Sequence, residues 1–70
     1  MRFTAAITKE DELFVARCLE VDIASQGTTV EDSLANLQEA LELYFEDEPA
    51  PQVAPPPIIA PFEVRVARVA

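Results

Sequence analysis

The 70-residue chain has room for one small domain, and its five basic and 13 acidic residues give a formal net charge of −8. This charge argues against direct binding of nucleic acid, which needs clustered Lys and Arg side chains. A single cysteine, Cys18, and the lack of histidine exclude an internal disulfide and any site that depends on histidine. Because a core of this size is marginal by itself, we expect a homo-oligomer.

The sequence also bears on location. No apolar run approaches the roughly 18 residues that span a bilayer, and Met1-Arg2 leads directly into strand-like sequence rather than a signal-peptide pattern. We therefore expect a cytoplasmic protein that does not contact a membrane and whose Cys18 stays reduced.

Three strands are predicted in the first part of the chain, because apolar and polar residues alternate there with the period of a half-buried strand. They cover residues 2–8, 13–19 and 23–26. Lys9-Glu10-Asp11-Glu12 separates the first two and has the length of a hairpin loop. The third strand ends at Gly27, which can adopt a positive φ in a turn without a Cβ clash.

A helix is predicted from about Val30 to about Phe45, where strong helix formers dominate. Thr28 and Thr29 are both good N-cap residues, and each has an acid three positions later, as in a capping box. Apolar residues recur at spacings of three and four and predict one inward-facing stripe. The stripe consists of Val30, Leu34, Leu37, Ala40, Leu41 and Tyr44 or Phe45, and Leu43 lies off it.

The last third of the chain differs in composition from the rest. All six prolines fall within residues 49–61 and predict a stiff, extended connector. Residues 62–70 alternate again, with Phe62, Val64 and Val66 on one side, and predict a fourth strand of the same domain. The expected fold is a small α+β domain of order β-β-β-α-β, with its core in residues 1–48.

Three segments occur in an order that resembles the HicB-type antitoxin family. They are FVARCLE at 14–20, SQGTT at 25–29 and EDSLANLQEALELY at 31–44. Together the match covers about residues 3–46. It departs from the family at Leu19, where a proline is common, and it corresponds to a short form without the family's DNA-binding module.

The resemblance implies a partial RNase-H-like fold, a small sheet with one helix packed on a face. It also implies a dimer or tetramer that binds a HicA-type toxin, a small basic ribonuclease, and blocks it sterically. No catalysis and no cofactor are implied. An orphan oligomeric module without a toxin is the alternative, and a metal-dependent nuclease-like enzyme is a third reading.

Two regions are candidates for contacting a partner. Negative charge beyond a helix C-terminus is unfavourable by roughly 0.3–1 kcal/mol per group, so an acidic cluster there suggests a landing site for a basic protein, or else a solvated helix end. The second region could pack on a neighbouring subunit or add to a sheet edge. The candidates are Glu46, Asp47 and Glu48 in the first region, and Ile58, Ile59, Phe62, Val64 and Arg65 in the second.

Two other groups are expected to have no catalytic or metal-binding role. Glu10, Asp11 and Glu12 are consecutive and are expected at a solvated hairpin tip, since neighbouring acids rarely converge on one metal ion. Cys18 alternates inward with Phe14 and is expected to be a small core residue, because it lacks an activating base.

Overall fold

The computed structural model describes residues 1–47 and 55–67. Within them lie β1 (Ala5–Glu10), β2 (Leu13–Cys18), β3 (Ala24–Gly27) and α1 (Val30–Tyr44). The strands form one antiparallel sheet in the order β1-β2-β3, and α1 packs mainly on β3 and β2. This arrangement confirms the α+β class and the order of three strands followed by a helix.

The β1–β2 hairpin is tighter than the sequence predicts. Lys9 pairs with Phe14 and Glu10 with Leu13, so that Asp11 and Glu12 alone form the loop. Asp11 has a φ of 56°, in the left-handed region, which Asp tolerates because its short polar side chain can bond locally. The two-residue loop fixes the register and sets the apolar residues of both strands on the same face.

The junction between β3 and α1 depends on Gly27, but for a different reason from the one predicted. Its φ is not positive, so the expected left-handed turn is wrong. Instead, a Cβ at this position would lie 2.6 Å from the backbone nitrogen of Ser33 and 2.8 Å from the carbonyl carbon of Asp32. Glycine is therefore required by the close approach of the helix backbone to the strand.

Thr29, one of the two predicted candidates, is the N-cap of α1. Its backbone is extended (φ −134°, ψ 165°), and its side-chain oxygen accepts a hydrogen bond from the Asp32 N–H at 3.0 Å. The Thr28 hydroxyl instead donates to the Asp32 carboxylate over a longer 3.3 Å. At the other end, the Phe45 N–H donates to the Leu41 carbonyl and closes the last turn.

The buried face of α1 is rotated relative to the predicted stripe. Ser33, Leu37 and Leu41 are buried, whereas Val30, Leu34 and Tyr44 remain exposed. The small Ser33 side chain is fully buried beside Gly27, and its hydroxyl donates to the Val30 carbonyl at 2.8 Å. Leu37 and Leu41 follow it at intervals of four and meet Ala16 and Cys18 in the core.

Six partly buried apolar residues of the described chain surround this small core. They lie in or just before β1, between β2 and β3, and at the C-cap of α1: Phe3, Ala5, Ile7, Val21, Ile23 and Phe45.

The fourth strand predicted over residues 62–70 is not formed in the part of it that the structure describes. Residues 62–67 have no strand pairing, and all described residues from 55 to 67 are exposed. Alternation shows which residues would share a face, but a strand also needs an edge that accepts its hydrogen bonds. Residues 48–54 and 68–70 lie outside the described residues.

Replacing Gly27 with Ala should lower the free energy of unfolding by about 1–3 kcal/mol, as overpacking against backbone usually does. This exceeds the roughly 0.4–1 kcal/mol that Gly→Ala gains from a less disordered unfolded chain. Urea unfolding followed by circular dichroism measures the change. Gln26→Ala, at an exposed position on the same strand, is the control, and equal stability of the two variants would contradict the close approach.

Removing the cap by Thr29→Ala should cost about 1 kcal/mol, because the Asp32 N–H then loses its side-chain acceptor. Thr28→Ala is the matched control, since its hydroxyl makes only the longer, exposed contact, and it should change stability by less than about 0.5 kcal/mol. The same unfolding measurement compares them. A larger loss of stability for Thr28→Ala than for Thr29→Ala would show that Thr28 is the N-cap.

Candidate partner-binding surface

An apolar groove of about 740 Å³ lies between β1 and α1. It exists because α1 covers β3 and β2, so the side of the helix that carries Leu34 has no strand beneath it. The exposed Gln38 and Glu42 also line the groove, and the Gln38 amide donates to the Glu42 carboxylate at 3.4 Å. Its apolar walls include Phe3, Ala5, Leu34, Leu37, Leu41 and Phe45.

One border of the groove is the edge of β1 that pairs with no other strand in the described part of the chain. β1 is the first strand in the sheet order, and it pairs with β2 alone. The Leu19 N–H donates to the Thr4 carbonyl at 2.9 Å. By the alternation of an antiparallel ladder, the backbone groups of Ala5 and Ile7 therefore point away from β2. Such groups are a template for an added strand.

Aromatic rings close one end of the groove. The rings of Phe3 and Phe45 stack with their centroids 5.8 Å apart and their planes at 15°. Tyr44 meets Phe45 edge-on, with centroids 4.9 Å apart. The stack places the end of α1 beside the residues that lead into β1.

A carboxylate ties the start of β1 to the end of β2. The Glu20 Oε1 atom accepts a 2.8 Å hydrogen bond from the Thr4 N–H and a 3.6 Å contact from the Cys18 thiol. The Thr4 N–H is the main reason that the pKa of the Glu20 carboxyl lies below its usual value. The second oxygen, Oε2, is buried and has no hydrogen-bond partner among the residues that the structure describes.

The role of Glu20 was not predicted from the sequence. Its position two residues after Cys18 indicates the contact between them, because residues two apart lie on the same side of an extended chain. Cys18 itself is buried in the core, as predicted.

The residues predicted to bind a partner lie in two exposed places that the structure does not join into one cluster. Glu46 and Asp47 directly follow α1, and the Glu46 N–H donates to the Leu43 carbonyl at 3.3 Å. The last turn of α1 carries no basic residue to offset these acids. The predicted residues of the C-terminal segment are all exposed: Ile58, Ile59, Phe62, Val64 and Arg65. Glu48 lies outside the described residues.

No family model matches the chain, and neither the curated proteins nor the solved structures yielded a match. Among residues 1–47 and 55–67, no helix is long and apolar enough to cross a membrane. Within the same residues, no three acidic or cysteine side chains come together in a group that could hold a metal ion.

Replacing Glu20 with Gln should make the protein less stable at neutral pH, because the charged acceptor of the Thr4 N–H is lost. The folded-state pKa of Glu20 is lowered from 4.5, so the stability that its charge contributes is present above that pH and is lost as pH falls through the folded pKa. Melting temperatures of both proteins from pH 7 to pH 3 should therefore converge at acid pH. Glu12→Gln, at the exposed hairpin tip, controls for the loss of one charge, and a constant difference for Glu20→Gln would contradict the prediction.

Proposed function

We propose that this protein is a HicB-like antitoxin module of the cytoplasm. It binds a small basic HicA-type ribonuclease and blocks the enzyme by protein–protein contact, with no catalysis and no cofactor of its own. One observation carries the proposal: the three segments that resemble the family coincide with the second strand, the junction between β3 and α1, and the helix itself. FVARCLE spans most of β2 and the two residues after it, SQGTT covers the end of β3 and the N-cap, and the third segment forms nearly all of α1.

The charge distribution supports a basic partner. The net charge of −8 favours encounter with a cationic protein and speeds association more than it strengthens the final complex. Glu46 and Asp47 extend the exposed acids of α1 beyond its last turn, where the carbonyl end of the helix adds further negative potential. A Lys- or Arg-rich surface would offset all of these charges at once.

An RNase-H-like relationship is part of this proposal. Three antiparallel strands with a helix on one face are compatible with a partial version of that fold. The free edge of β1 leaves room for a further strand.

An orphan interaction module is the second candidate, and the exposed apolar residues of the C-terminal segment favour it. Such a module would have the same fold and would associate with other chains without neutralising a ribonuclease. A metal-dependent nuclease has less support, because that chemistry needs several carboxylates at adjacent strand ends. The described strands contain one carboxylate, that of Glu10 at the end of β1.

Co-expression with the product of a neighbouring small, basic reading frame tests the proposal. We expect the two proteins to purify together and the cleavage of RNA by the partner to stop at equimolar amounts. Normal cleavage with this protein in excess would overturn the proposal, whereas co-purification without loss of cleavage would select the orphan module.

The acidic helix end can be tested in the same assay. The double variant Glu46→Lys and Asp47→Lys should weaken binding at low salt by about tenfold, equivalent to about 1.4 kcal/mol. The control pair Glu10→Lys and Glu12→Lys changes the net charge equally at the hairpin tip and should weaken binding less. Equal effects of the two pairs would show that only the overall charge matters.

A further inference from the structure

We infer that the groove between β1 and α1 is filled by residues 62–67 of a second copy of this chain, which add a fourth strand to the free edge of β1. Exchange in both directions would join two copies into a symmetric dimer. This inference does not depend on the proposed function, because it concerns how the module completes its own sheet.

β1 and the segment have the same length. β1 has six residues, Ala5–Glu10, and the segment 62–67 also has six, so that each spans about 20 Å when extended. In an extended chain Phe62, Val64 and Val66 point to one side, and their side chains are 85%, 66% and 78% exposed. An added strand would turn this apolar side toward the groove below Leu34.

Backbone groups without strand pairing lie both on the outer edge of β1 and in residues 62–67. Among residues 1–47 and 55–67, no strand lies next to the outward-facing N–H and C=O groups of Ala5 and Ile7, since β1 ends the sheet order. Residues 62–67 have no strand pairing either. A strand added beside β1 would form hydrogen bonds with both sets of backbone groups. It would also cover a sheet edge that could otherwise pair with other chains and aggregate.

The position of the segment in the structure favours a second copy over the chain's own segment. The Phe3–Phe45 stack, at 5.8 Å, already places the end of α1 beside the start of β1. A connection of about 2–6 residues would suffice to begin a strand there. The chain instead inserts residues 46–61, whose six prolines favour an extended backbone. Residues 55–67 are all exposed and none of them lines the groove, so the chain's own segment does not fill it.

Two identical grooves and two identical segments also fit the symmetry of a dimer. In a two-fold arrangement each copy gives the same segment and receives the same segment, so the contact closes and does not propagate. Glu63, Arg65 and Ala67 would then face away from the groove. The acidic helix ends at Glu46 and Asp47 would remain free for another partner.

Light scattering on the eluate of a size-exclusion column tests the exchange with the full chain. The wild-type protein should have twice the 7.7 kDa mass of one chain at micromolar concentration. Val64→Asp should raise the dissociation constant at least tenfold and shift the mass toward the monomer. Ala67→Asp introduces the same charge on the opposite side of the segment and should leave the dimer intact.

A second pair of variants tests the groove side. Leu34→Asp should also dissociate the dimer, whereas Ala35→Asp, an exposed neighbour on α1 that does not line the groove, should not. Both altered positions are exposed in the single chain, so helical circular dichroism should be retained. A monomeric wild-type protein would overturn the inference, as would a dimer that survives both Val64→Asp and Leu34→Asp.

Isotope-filtered NMR on a mixed sample of labelled and unlabelled protein identifies whose segment fills the groove. We expect nuclear Overhauser contacts between the Val64 methyls of one copy and the Leu34 methyls of the other. The same contacts seen only within one copy would show that the chain fills its own groove and would overturn the exchange. Toxin neutralisation, measured separately, is unaffected by either result.

Discussion

The contact between Gly27 and the first turn of α1 determines most of the architecture. Without a Cβ at Gly27, the helix backbone at Asp32 and Ser33 approaches β3 more closely than any other residue type would allow. This approach sets the rotation of the helix, because Ser33 must face the strand and Leu37 and Leu41 follow it inward. It also draws α1 toward one side of the sheet, and the groove beside β1 is the consequence.

The core that results is small for a chain of 70 residues. Among the described residues four apolar side chains are buried, Ala16, Cys18, Leu37 and Leu41, and the aromatic and aliphatic residues around them keep part of their surface in water. Native domains are stable by only about 5–15 kcal/mol, the difference between much larger opposing terms. A fourth strand would add buried apolar area where it is most lacking, on the Leu34 side of the helix.

Local signals in the sequence predicted local structure well. The hairpin, an N-cap at Thr28 or Thr29 and the helix follow from residue types over a few positions. The structure confirms the hairpin and the helix and places the N-cap at Thr29. The rotation of the helix was mispredicted, because periodicity gives the spacing of apolar residues but not the face that a neighbouring strand permits. Alternation alone could not show whether residues 62–67 pair with a strand. The spacing of Glu20 from Cys18 indicates their contact, but the hydrogen bond from the Thr4 N–H depends on strand pairing that the spacing does not give.

The two proposed contacts would have opposite physical character, which allows one small chain to make both. Two copies of charge −8 repel each other, so their association must come from apolar burial and backbone pairing, and screening by salt would favour it. Binding of a basic protein at Glu46 and Asp47 depends on attraction, which salt weakens. Because Phe62, Val64 and Val66 would be taken up by the dimer, the acids at the helix end would become the main surface left for the toxin. Self-association and neutralisation would therefore not compete for the same residues.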